Sequence, residues 1–210
     1  AWLLLPLWLF VLLGLYFYFF PFFQSWKLIL PFCLTLIIGI LVTPNIPAAL
    51  FLAVIFSLIL GIRDLFFINR TSAYELLIFL LLFLLFLNFF KAVDSWESAL
   101  TFFWSFVSSM VFFFLVRSFV SYADIDSTDR RSMMVIGVGA LMLWQLSIVI
   151  LVLPLTFFSQ AALLFLAAVF MIDFSINYLD GRLNRRGLVA HAAAFAVLAT
   201  IIFSTARWEL

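Results

Sequence analysis

Ionisable side chains are scarce in this chain, and those inside apolar segments are the residues best able to do chemistry. Asp173 stands in the run Phe170-Met171-Ile172-Asp173-Phe174-Ser175-Ile176-Asn177-Tyr178-Leu179-Asp180. Asp173, Asn177 and Asp180 follow at i, i+4 and i+7, so on a helix they share one face. A charge held in hydrocarbon is costly, and it is usually kept where it meets a partner group, a cavity or a moving ion. The next apolar run opens Gly187-Leu188-Val189-Ala190-His191. His191 therefore falls about one turn inside the same end of the following helix. Arg117 closes the fifth apolar run at that level. Asp173, Asn177, His191 and Arg117 form a candidate polar cluster. Its chemistry would be a proton or ion relay, or capture of a polar solute from the cytoplasmic side. The competing reading is interfacial snorkelling and hydrogen bonding between helices.

The turn after Asp173 is the second candidate. Asp180, Arg182, Arg185 and Arg186 make a basic turn suited to anionic lipid headgroups. The same stretch, Asn177 to Arg185, resembles the start of the CDP-alcohol phosphotransferase motif through Asp180, Gly181 and Arg185. That family carries an aspartate three residues before the Asp-Gly pair, an alanine before the arginine, and later a glycine and two more aspartates that complete a metal site. Here Asn177 replaces the first aspartate and Asn184 the alanine, and no aspartate follows Arg185. The resemblance covers nine residues and lacks most of the ligands, so no metal, no cofactor and no catalytic set are expected. One histidine cannot build a multi-histidine metal site or a bis-histidine haem helix. No G-x-S-x-G elbow, P-loop or dinucleotide fingerprint occurs. The aspartates of Ser121 to Arg131 lack the glycine and terminal glutamate of a calcium loop. That stretch reads as a solvated loop with a helix N-cap at Ser127 or Thr128.

The elements that position these residues follow from composition. Of 210 residues, 68% are hydrophobic and 10% charged, and the mean hydropathy is +1.32. A soluble domain has about half apolar and a quarter charged residues, so the solvent that fits this chain is hydrocarbon. Continuous apolar runs such as Leu76 to Phe90 exclude the alternating pattern of a membrane barrel. Helices satisfy their own backbone, as lipid requires. The expected architecture is all-α: a polytopic transmembrane helical bundle with very short loops, one integral membrane domain over 1–210 and no soluble domain. Spans are expected at 2–23, 28–43, 48–68, 73–90, 98–120, 132–153, 158–178 and 187–206. Six or seven is the alternative count, because the Thr43-Pro44-Asn45-Ile46-Pro47 break could close a re-entrant hairpin instead of a tight turn. The first segment is longer than a signal-peptide core and no A-x-A-like site follows, so it is read as a retained helix.

Charge placement sets the orientation. Lys27, Arg63, Arg70, Arg117, Arg130, Arg131, Arg182, Arg185 and Arg186 fall in the odd-numbered turns, nine of the 11 basic residues. Lysine and arginine near span ends are retained in the cytoplasm, so the turns of Lys27, Arg63, Arg130 and Arg185 are expected there, in a prokaryotic inner membrane. With 11 basic and 10 acidic residues, the chain has no basic face for nucleic acid. Cys33, the single cysteine, excludes an internal disulfide and reads as packing.

Small residues mark close helix contacts in lipid. Gly137, Gly139 and Ala140, then Ala161, Ala162, Ala167 and Ala168, then Ala190 to Ala199, predict that the last three helices form the tightest bundle. Asn88, Gln145, Ser105, Ser108 and Ser109 are expected to hydrogen-bond across helices. The functional expectation is a non-enzymatic subunit, scaffold or assembly factor, with membrane lipids and other membrane subunits as partners. A small transporter or channel centred on Asp173 is the alternative, and a lipid-modifying enzyme at the Asp180 turn the third.

Overall fold

The computed structural model describes residues 26–41, 46–63, 69–93, 98–123, 129–181 and 185–206. The expected first span, 2–23, lies outside them. Seven helices occur among the described residues: α1 (Trp26–Leu41), α2 (Ile46–Arg63), α3 (Arg70–Val93), α4 (Ser98–Tyr122), α5 (Arg130–Val152), α6 (Phe157–Leu179) and α7 (Arg185–Thr205). Four of them carry apolar stretches long enough to cross a membrane: Thr71–Val93, Leu100–Tyr122, Arg130–Val152 and Phe157–Leu179. Each is 23 residues, about 35 Å at 1.5 Å per residue, against a hydrocarbon core of about 30 Å. The apolar parts of α1, α2 and α7 are shorter: Leu28–Gly39, Leu50–Ile59 and Val189–Thr205. The protein is thus an all-helical bundle with the length and composition of a membrane protein.

Helix α3 is the hub, packing on α1, α2, α4 and α6. Tyr74, Leu77, Ile78, Leu81, Leu82, Phe86, Phe89 and Phe90 are buried along it, a stripe at helical period. Its closest partner is α6, which offers Ala161, Leu164, Ala167, Ala168 and Ile172. Alanines at that face let the bulky side of α3 approach, which matters in lipid because dispersion between fitted surfaces replaces the hydrophobic drive. The second close pair is α4 on α5. There Ile136, Gly139, Ala140, Leu143, Ser147 and Ile150 recur along the buried side of α5.

This arrangement corrects the expectation that the last three helices pack tightest. Helix α7 rests mainly on α6 through Phe195, Ala199, Ile202, Phe203 and Ala206. Its Ala190, Ala192, Ala193, Ala194 and Ala196 are exposed. Small residues permit close approach but do not say which helix comes close.

The polar residues of the spans are also mostly self-satisfied. Thr35 donates to the Pro31 carbonyl, Ser108 and Ser109 to that of Ser105, Ser147 to Trp144 and Ser175 to Met171. These are bonds to the preceding turn, the usual escape for a buried hydroxyl in a helix. Asn88 likewise donates to Leu84, and Gln145 is exposed, so neither ties two helices. Only Ser105 of that expected set crosses, accepting from Trp144 Nε1 at 3.1 Å. Tyr74 and Ser118 make a second link, hydroxyl to hydroxyl at 2.7 Å between α3 and α4.

Helix ends are specified locally. Asn69 caps α3, its side-chain oxygen accepting from Ser72 N–H at 3.2 Å. The N-cap position of α5 is Asp129, not Ser127 or Thr128, which lie outside the described residues, and Asp129 makes no side-chain capping bond. Between α5 and α6, Gln160 donates to the carbonyls of Ile150 and Leu153 at 3.2 and 3.1 Å. It adds side-chain donors to the carbonyls at the end of α5, beside the backbone N–H groups of Leu153 and Leu155. Helix α6 ends at Asp180 with Gly181 at φ 68°. Glycine adopts that left-handed conformation freely. The Asp-Gly pair is therefore a helix stop that leads the chain over towards α7.

Candidate functional site

One end of the bundle gathers the start of α3, the end of α4, the start of α5, the end of α6 and the start of α7. The C-terminal turns of α6 bring Asp173 and Asn177 to the same side. The Gly181 turn sends α7 back along α6, which carries His191 to Asp173. His191 Nε2 lies 3.0 Å from Asp173 Oδ2. Asn177 Nδ2 donates to Asp173 Oδ1 at 2.9 Å and to the Asp173 carbonyl oxygen at 2.9 Å. The amide thus uses both hydrogens on one residue and occupies the carboxyl oxygen that His191 does not. The other ring nitrogen, Nδ1, sits 2.7 Å from the Gly187 carbonyl oxygen.

Asp173, Asn177 and His191 therefore meet. Arg117 does not join them: among the described residues it forms no ion pair with Asp173 and no hydrogen bond with the other two. Position along a helix sets its depth but not its azimuth. Glu75 of α3 is the member that sequence reasoning missed. It is half-buried and in Coulombic reach of Asp173. A signal exists in part, since Glu75 is an acidic group one turn into an apolar run, as unusual as Asp173. The adjacency of α3 and α6, separated by two intervening helices in the chain, has no such signal.

The pair is not sealed. The side chain of His191 is 53% exposed and that of Asp173 42%. It therefore lies at the surface of the bundle and not inside its core. Beside it, Tyr178 stacks on Phe174 with ring centroids 6.2 Å apart, and the Arg131 guanidinium lies 4.7 Å from the Tyr178 ring centre. That cation–π contact holds the start of α5 to the end of α6. Tyr74, fully buried, stacks on Tyr122 at 4.5 Å and on Phe119 at 6.1 Å. These stacks join the start of α3 to the end of α4.

The basic turn is described in part. Asp180 and Arg186 are exposed, Arg185 opens α7, and Arg182 lies outside the described residues. Among the described residues no group of three His, Cys, Asp or Glu is arranged to hold a metal ion. Elsewhere, an apolar cavity of about 250 Å³ opens between α4 and α5, lined by residues that include Phe106, Met110, Phe114, Gly137, Leu141 and Trp144.

Comparison with protein-family models, curated proteins and solved structures finds no match to this chain.

Proposed function

We propose that the protein is a non-enzymatic integral membrane subunit, scaffold or assembly factor of a prokaryotic inner membrane, acting by holding the transmembrane helix of a partner subunit. The observation that carries this reading is α7. It rests mainly on α6, and its exposed side holds Ala190, Ala192, Ala193, Ala194 and Ala196 with Val189, Val197, Leu198 and Ile201. Alanines give lipid tails little surface to grip, yet they let another helix backbone come close. A helix so composed and so sparsely packed is suited to an added neighbour.

Eight crossings with the turns of Lys27, Arg63, Arg130 and Arg185 in the cytoplasm complete the reading, supported by the distribution of basic residues. The decisive experiment is purification from the native membrane in mild detergent with mass spectrometry of what co-purifies. A stoichiometric membrane protein, lost on Ala194→Phe with the fold retained, is the expected result. A chain that purifies alone, or a partner indifferent to Ala194→Phe, refutes it.

A second reading has its own observation. Asp173, His191 and Glu75 bring two carboxyl groups and an imidazole from three helices to one accessible end. A small transporter or channel with its polar site around Asp173 fits that geometry. Asp173→Asn would then abolish solute or proton flux in reconstituted vesicles.

A further inference from the structure

We propose that Asp173, His191 and Asn177 form a proton-binding site that joins α6 to α7, with Glu75 as its electrostatic neighbour. The inference stands apart from both readings above, since either a subunit or a transporter could carry it.

His191 Nδ1 is 2.7 Å from the Gly187 carbonyl oxygen. A carbonyl only accepts, so Nδ1 must carry a hydrogen and donate it. A neutral imidazole then has a bare lone pair on Nε2. That nitrogen is 3.0 Å from Asp173 Oδ2, which in the carboxylate form is also only an acceptor. Two acceptors facing each other at hydrogen-bond distance repel. The geometry closes only with one further proton between them, on Nε2 as an imidazolium or on Oδ2 as a carboxylic acid. Asn177 donates to Oδ1, which leaves Oδ2 as the carboxyl oxygen for that proton.

Losing the proton to water breaks one of the two bonds whichever tautomer results. With hydrogen on Nδ1, the Asp173 contact turns repulsive. With hydrogen on Nε2, the Gly187 contact does. The pair is neutral with the proton and carries one negative charge without it. Nearby charges enter this balance: Glu75 from α3, in Coulombic reach of Asp173, and Arg186 in the first turn of α7. Arg131 from α5 lies over Tyr178 instead, and Asp180 caps the end of α6. Because α7 has α6 as its main neighbour, the bridge is one of the contacts that tie its second turn to α6.

His191 is the single histidine, so histidine-selective ¹⁵N labelling of the full chain in lipid nanodiscs reports this ring alone. The expected result is a hydrogen on Nδ1 while the site holds its proton, and a change in the state of the ring when that proton leaves. A ring that is neutral at every pH, with its hydrogen on Nε2 and a bare Nδ1, would overturn the proposal. A second measurement follows the consequence. Backbone amide exchange at the start of α7, corrected for its intrinsic pH dependence, should quicken about 2- to 5-fold between the pH at which the ring signal shows the proton bound and the pH at which it shows it lost. In Asp173→Asn the new amide can donate to a neutral ring or accept from a charged one, so the pH step should vanish. An unchanged step in Asp173→Asn would sink the idea. If that variant instead loosened α7 at all pH values, the ¹⁵N assignment in the wild type would still decide.

Discussion

Removing the Tyr74 hydroxyl tests how this bundle is held. Tyr74→Phe keeps the ring, and with it the stack on Tyr122 at 4.5 Å and on Phe119 at 6.1 Å, but deletes the 2.7 Å bond to Ser118 Oγ. Tyr74 is fully buried at the hub helix, and its partner Ser118 is half-buried. Hydrogen bonds between membrane helices contribute about 0.6 kcal/mol on average and up to about 1.7 kcal/mol in double-mutant cycles. Full burial and a short hydroxyl–hydroxyl distance place this one in the upper half of that range, about 1 to 1.7 kcal/mol. Each residue has further contacts, so single substitutions mix effects. The cycle of Tyr74→Phe, Ser118→Ala and the double variant isolates the pair. Equilibrium unfolding in mixed detergent micelles, followed by circular dichroism, gives the four free energies. A coupling energy indistinguishable from zero would refute the α3–α4 link and the register it implies.

Three further outcomes are expected. Gly181→Ala forces a side chain into the left-handed conformation at φ 68° and should lower unfolding stability by about 1 to 2 kcal/mol, with Gly181→Asn milder. Gln160→Leu removes the side-chain amide shared by the Ile150 and Leu153 carbonyls, which keep the backbone N–H groups of Leu153 and Leu155. It should cost about 0.5 to 1 kcal/mol by the same unfolding assay. Asn69→Ala removes the cap on Ser72 N–H and should cost about 1 kcal/mol, with amide exchange quickened only in the first turn of α3.

Much of this protein is legible in its amino-acid sequence. Continuous apolar runs admit only helices in lipid, because an unpaired backbone group has no water to turn to. That reasoning is local, and it recovers the seven described helices, with their ends shifted by a few residues. The turn at Gly181 is legible in the same way, though its role is not, since Asp-Gly serves a helix stop as readily as a metal motif. Asp173 is conspicuous as a charge among Phe and Ile, and the i, i+4 spacing to Asn177 brings the two side chains together without help from any other helix.

Other features depend on who neighbours whom. Glu75 sits in a different helix from Asp173, and only the packing of α3 against α6 makes them electrostatic neighbours. Arg117 stands near the end of α4 and, among the described residues, makes no ion pair with Asp173. The alanines of α7 have the composition of the tightest interface and are instead its open side. A helix repeats its own geometry with every residue, so sequence determines which residues share its face and how deep they lie. Lipid wets every apolar face alike and gives no signal for which face turns inward, so the choice of neighbours is made by tertiary fit alone.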